Sequence, residues 1–269
     1  MLRERILTAL VLAALALGAL FGLPVAGFGA ALLLVILPAA WEWARLAGFS
    51  AAPARWGYVG AVLLLILASW PWVANKSFVG GLLAVAAAGW IGALVWLKRF
   101  ADEPDRPNRA AAVAAAGGVV LVAPWVALMA LRAEYGPGYV LFLMLLVWAA
   151  DIGAYFAGRR WGRRKLAPAI SPGKTWEGVL GGGVATLFLA LAALSVLAVG
   201  GSGVGFVAIC MITMGFSIVG DLFESMMKRQ RGLKDSGSLL PGHGGVLDRV
   251  DSLSAAAPVF LLGLYGIGG

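Results

Sequence analysis

Long apolar runs recur along the chain, separated by short polar or glycine-rich segments. Their length predicts helices, because a helix needs about 20 apolar residues to cross a bilayer core. Nine spans are expected, at 6–23, 28–44, 56–73, 78–97, 110–131, 139–157, 176–199, 204–227 and 252–268. The second is short and closes on Trp41, Glu42 and Trp43. Pro38, Pro124 and Pro258 fall inside runs without excluding helix, since neighbouring helices can satisfy the freed backbone groups. Arg3 and Arg5 followed by an apolar stretch resemble the start of a secretory signal. The length of that run and the spans after it favour a retained first helix instead. Small residues in "VLGGGVAT" and "VGGSGVG" allow close helix approach.

Composition supports the same class: 61% of the 269 residues are hydrophobic and only 13% are charged, with a mean hydropathy of +0.91. The expected fold is therefore an all-α, polytopic membrane bundle of about nine transmembrane helices. A formal charge of +8 would suggest nucleic acid in a soluble protein. Here loop bias and anionic lipid headgroups account for it, and no nucleic-acid partner is expected. With the amino terminus cytoplasmic, every lysine and arginine except Lys76 and Arg132 falls on the inner side. An even or shifted count of spans would scramble that asymmetry. The single cysteine, Cys210, has no partner for an intramolecular disulfide, and one histidine with one cysteine makes no zinc site.

The last two inner segments hold the chemistry. Asp221, Glu224, Ser225 and Lys228 share one helical face by their spacing, and an acid inside a membrane helix is a functional candidate by default. The alternative is a plain ion pair from Asp221 to Lys228 or Arg229 near the headgroups. Beyond them, "KDSGSLLPGHGGVLDRVDS" gathers Lys234, Asp235, His243, Asp248, Arg249 and Asp251 between glycines. If Asp248 and Asp251 begin the ninth helix, three residues apart, both carboxylates point to one side. Carboxylate oxygens suit Mg²⁺, which commonly takes one or two of them and completes its shell with water and substrate phosphate. Lys228, Arg229, Lys234 and Arg249 can neutralise phosphate charge. His243 alone is as consistent with a structural hydrogen bond as with catalysis.

A third cluster runs from Asp151, inside the sixth span, to "SPGKTWEG". "GKT" invites a P-loop reading, but Pro168 stands where the motif needs glycine and no strand is expected before it. Ser171, Lys174 and Thr175 can still bind phosphate oxygens where a helix begins. Otherwise the basic loop fixes topology and Ser171 or Thr175 caps the helix.

Together these segments resemble a known family. Ser225 to Ser252, "SMMKRQRGLKDSGSLLPGHGGVLDRVDS", is similar to the signature of the phosphatidate cytidylyltransferases, or CDP-diacylglycerol synthases. "DIGAYFAGR" and "SPGKTWEG" resemble further family segments, so the motifs cover 151–252, while the first 150 residues add only compatible spans. Gly173 stands where the family usually has a second lysine.

The resemblance implies Mg²⁺-dependent transfer of CMP from CTP to phosphatidate, giving CDP-diacylglycerol and pyrophosphate. It divides the chain into amino-terminal helices, 1–138, and a catalytic region with cytoplasmic-facing loops, 139–269. It implies Asp221 and Asp248 as metal ligands, with Asp251 a third or its support, for one or two Mg²⁺ and a monovalent ion as a further candidate. Lys228, Arg229, Lys234, Ser171, Lys174 and Thr175 are expected near substrate phosphates, with Arg249 among the cations. Asp235 and His243 order the loop or touch substrate, and Asp151 binds metal or supports a basic neighbour. A homodimer in the bacterial inner membrane is the expected setting.

Three rival readings share some of these features. A CDP-alcohol phosphotransferase would need an Asp-rich signature that is absent. A polyprenol kinase-like enzyme shares part of the His-Gly-Gly to Asp pattern. An ion-coupled transporter would place Asp151, Asp221 and Glu224 near the midplane with inverted repeats.

Overall fold

The computed structural model describes residues 2–103, 109–197, 199–239 and 244–268, with side chains from Leu10 onward. Its helices are α1 (Leu2–Gly22), α2 (Val25–Ala47), α3 (Ala52–Ser69), α4 (Lys76–Asp102), α5 (Ala110–Gly117), α6 (Ala123–Glu134), α7 (Pro137–Trp161), α8 (Trp176–Ala193), α9 (Gly203–Gln230) and α10 (Asp251–Ile267). A π-helical turn, Gly118–Val122, joins α5 to α6 as one rod. Every expected span therefore coincides with a helical rod. Seven rods are long and apolar enough to cross a membrane, while Leu10–Gly22 and α10 are shorter apolar helices. The chain is an integral membrane protein.

Local chemistry sets the ends of the rods. Asn75, Thr175 and Ser202 accept from the backbone N–H three residues on, capping α4, α8 and α9, and such side chains satisfy donors that the first turn leaves orphaned. Gly48, with φ of 98°, closes α2 in the left-handed region.

The rod of α5 and α6 is the centre of the amino-terminal half: 67% of its apolar window is buried, against 22% for α3. Three indole and phenol donors fasten it to its neighbours. Trp125 Nε1 reaches Gly29 O at 3.0 Å, Trp43 Nε1 reaches Val113 O at 2.8 Å, and Tyr58 OH reaches Ala114 O at 2.9 Å. A buried indole or phenol usually finds such a partner. The outward faces stay apolar, with Leu34, Val85 and Phe188 exposed, as expected of surfaces that meet lipid rather than water.

Glycines let α7 and α8 touch backbone to backbone. A Cβ on Gly153 would stand 2.6 Å from Gly181 O, and one on Gly182 would stand 2.9 Å from Ala150 O. The small-residue run therefore works as the sequence suggested, and "VGGSGVG" is similar, since a Cβ on Gly205 would stand 3.0 Å from the Ile267 side chain.

The two ends of the bundle differ. At one, Arg132 Nε holds Leu20 O at 3.1 Å and Tyr265 OH donates to Glu134. At the other, Arg231 Nε holds Leu46 O at 2.8 Å, and the polar loops gather there.

Three expectations need correction. The segment between α7 and α8, where no strand was expected, is a two-stranded antiparallel hairpin, β1 (Lys165–Ala167) and β2 (Ser171–Thr175), a small addition to an all-α membrane fold. Pro168 and Pro172 bar a helix there, and "GKT" lies on the second strand. The seventh span ends at Ala193 rather than near 199. Asp248 does not share a helix with Asp251: it sits in a 3-10 turn, Leu247–Arg249, and α10 starts at Asp251.

Candidate active site

A cavity of ≈ 500 Å³ opens between α7, β2, α8 and α9, within the range of small-molecule sites. It brings together Asp151, Ser171, Lys174, Thr175 and Asp221, which stand up to 70 residues apart in sequence. The close contact of α7 with α8 makes one wall, and the hairpin swings Lys174 across to α9. There its Nζ meets Asp221 Oδ2 at 2.6 Å, with both side chains about a quarter exposed (26% and 28%). Asp221 therefore pairs with neither Lys228 nor Arg229. Its other oxygen accepts from Ser225 Oγ at 3.2 Å, as the shared helical face predicts.

Thr175 does two things. It lines the cavity, but its hydroxyl accepts from Gly178 N at 3.1 Å to cap α8. That hydroxyl is thus committed first to the helix.

A second constellation lies one turn further along α9. Lys228, 9% exposed, sits 3.0 Å from Glu224 Oε1 and 2.5 Å from Asp248 Oδ1. Asp248 Oδ2 accepts from Ser236 N at 3.0 Å, Ser236 Oγ at 2.9 Å and Gly245 N at 2.9 Å. Burial would raise the Asp248 carboxyl, but the Lys228 ammonium and the loop donors overcome it and hold it down at about 2. Asp251, opening α10, packs where Gly220 of α9 leaves room for its backbone and accepts from Ser252 N at 2.7 Å.

The remaining sequence candidates divide. Arg229 is turned to a structural use, its Nε donating to Ile170 O at 3.2 Å and tying α9 to the hairpin. Lys234, Asp235 and Arg249 are exposed on the loop. His243 lies outside the described residues.

Hard oxygen donors surround this region, and the carboxylates Asp221, Glu224, Asp248 and Asp251 outnumber the ammonium groups of Lys174 and Lys228. No donor among the described residues reaches Glu224 Oε2, although the residue is only 2% exposed. Among the described residues no three acids or imidazoles stand as a ready metal cage. That donor set fits a hard cation which takes one or two carboxylates and fills its shell with water and phosphate oxygen; it does not fit a closed structural site.

A model of the cytidylyltransferase family matches residues 3–265. The chain belongs to that family. It is a CTP-using nucleotidyltransferase. Phosphatidate cytidylyltransferase of Pseudomonas aeruginosa is 43% identical over 279 aligned positions, covering 100% of this chain and 98% of that protein. The protein of the same name from Haemophilus influenzae is 39% identical and covers 97% of each. Its namesake from Brucella suis is 52% identical over 133 residues, about half of each chain.

Two residues that the sequence reading gave no role bond into the Asp248 cluster. Ser236, 1% exposed, donates into the Asp248 cluster. Glu42, 5% exposed, reaches the same loop from α2. An acid among apolar residues was signal enough for Glu42, but its place near the end of a short run made it look like a boundary.

Proposed function

We propose that the chain is a bacterial inner-membrane phosphatidate cytidylyltransferase, transferring CMP from CTP to phosphatidate with Mg²⁺. The observation that carries the reading is the Lys174–Asp221 pair, 2.6 Å apart in the wall of the ≈ 500 Å³ cavity. It sets an ammonium beside a carboxylate, the groups that phosphate and Mg²⁺ each favour. Full-length similarity to proteins named for this reaction supports the choice of acceptor.

In the reaction a phosphate oxygen of phosphatidate attacks the α-phosphorus of CTP. The new P–O bond forms as the bond to the bridging oxygen breaks, and pyrophosphate leaves with that electron pair. The nucleophile is already anionic, so no strong general base is needed, and the main requirement is positive charge around the phosphates. Lys174 and the basic residues Lys234 and Arg249 supply it, with Ser171 offering a hydroxyl. Lys228 holds Asp248 in place, and Asp235 and His243 order the loop or contact a substrate. Asp221, Asp248 through its less crowded Oδ1, and Asp251 would hold Mg²⁺, with Asp151 as support. Bound there, Mg²⁺ supplies charge to the developing transition state and aligns the triphosphate.

The same reading has nine crossings, a cytoplasmic amino terminus and a site facing the cytoplasm, where CTP is dissolved and the lipid phosphate lies at the inner surface. A homodimer belongs with it; the exposed apolar face of α8, including Leu180 and Phe188, is open to lipid or to a second copy. The test uses purified protein in detergent with phosphatidate, labelled CTP and Mg²⁺, beside a metal-free control and Asp248→Asn. Metal-dependent, lipid-soluble label that the variant loses is the expected result. Label-free lipid from folded wild-type protein would overturn the reading.

A further inference from the structure

Glu42 lies in α2, far in sequence from every motif of the site, and a carboxylate buried among apolar side chains is costly unless its oxygens are satisfied. They are satisfied from one source. Oε2 accepts from Ser236 Oγ at 2.9 Å and Leu247 N at 2.8 Å, and Oε1 accepts from Val246 N at 3.1 Å. All three donors belong to the segment between α9 and α10 that holds Asp248. The approach depends on Gly237 and Gly245: a Cβ on either would collide with the Glu42 carboxylate.

Ser236 joins the two acids. Its Oγ stands 2.9 Å from Glu42 Oε2 and 2.9 Å from Asp248 Oδ2, and its single proton can serve only one of them at a time. Glu42 and Asp248 thus bond to one segment through a shared hydroxyl and separate backbone amides. The helices beneath do not need Glu42 to stay together. Arg231 Nε already ties α9 to Leu46 O at 2.8 Å, and Trp43 of α2 stacks on Phe223 of α9 at 6.2 Å.

We infer that Glu42 is a positioning residue for the transfer reaction, a carboxylate from the amino-terminal half that fixes Ser236 and the segment 245–248 and thereby sets where Asp248 and Lys228 stand. The inference rests on the reading of that loop as part of the cytidylyl-transfer site. Glutamine at position 42 keeps the shape but replaces one acceptor oxygen with an amino group, so at least one loop donor loses its acceptor.

The test compares full-length wild type, Glu42→Gln and Ser236→Ala in detergent. It measures hydrogen exchange of peptides covering 244–250 and steady-state transfer from CTP to phosphatidate across a Mg²⁺ titration. Glu42→Gln is expected to speed exchange in that segment about tenfold while α2 and α9 exchange as before. It should lower kcat about 10- to 100-fold, as loss of a residue that orients a ligand does, move half-activation to higher Mg²⁺, and leave KM for CTP little changed. Ser236→Ala should move the same quantities in the same direction, and it decides the matter if Glu42→Gln does not fold. Wild-type exchange in the loop, or faster exchange with kcat intact, would overturn the inference. A wild-type chain without transfer to phosphatidate would overturn the reading beneath it, and the exchange comparison would still show separately whether the Glu42 clamp exists.

Discussion

Replacing Lys228 with methionine removes the ammonium that bridges Glu224 and Asp248. The two acids do not suffer equally. Asp248 keeps Ser236 N, Ser236 Oγ and Gly245 N, whereas Glu224, 2% exposed, loses its ion-pair partner. Breaking a buried pair costs about 3–5 kcal/mol when the other charge is stranded. With a single stranded carboxylate, free to take up a proton, the low end applies, about 3 kcal/mol. For a chain of this size that is a fall in unfolding midpoint of roughly 6–12 °C. Cys210, fully buried in α9 and the only cysteine, gives the assay: a thiol-reactive fluorophore reports its exposure as detergent-solubilised protein is heated. Adding Glu224→Gln to Lys228→Met should recover at least half of the loss, and adding Asp248→Asn should recover little. A midpoint for Lys228→Met within about 2 °C of wild type, or rescue by Asp248→Asn and not by Glu224→Gln, would refute this division of the charge.

Other outcomes follow from the same geometry. Lys174→Ala frees Asp221 and removes a phosphate cation, so KM for CTP should rise and kcat/KM fall about tenfold or more; an unchanged CTP dependence would remove Lys174 from the nucleotide site. Asp221→Asn should abolish Mg²⁺-dependent transfer with the thermal midpoint retained, and residual activity above about a tenth of wild type would contradict its role as a ligand. Gly153→Val drives a side chain into Gly181 O and Ala185. It should cost about 1–3 kcal/mol by overpacking and distort the cavity wall, seen as lower thermal stability together with weaker CTP use.

Much of this was legible because membrane helices announce themselves: runs such as 78–97 and 204–227 need only length and apolarity to be read. The face shared by Asp221, Glu224, Ser225 and Lys228 followed from helical spacing, and the ion pair and hydrogen bond along it agree. The hairpin was not legible, because Lys165–Ala167 and Ser171–Thr175 are too short for an alternation to stand out. Nor was the Lys174–Asp221 pair, a contact between residues that only the folded hairpin brings together. Glu42 was hidden for a related reason. Its partners are two backbone amides and a serine some 200 residues away (separations of 204, 205 and 194), and amides carry no mark in a sequence. The turn at Val250 likewise separates Asp248 from Asp251, which their spacing had put on one helix.

The most direct measurement follows two differently labelled CTP samples with phosphatidate and Mg²⁺. Transfer of CMP predicts that label in the α-phosphate enters lipid while label in the γ-phosphate leaves as pyrophosphate, and that Asp221→Asn stops both. Label from the γ-phosphate in the lipid would identify a kinase instead and contradict the account.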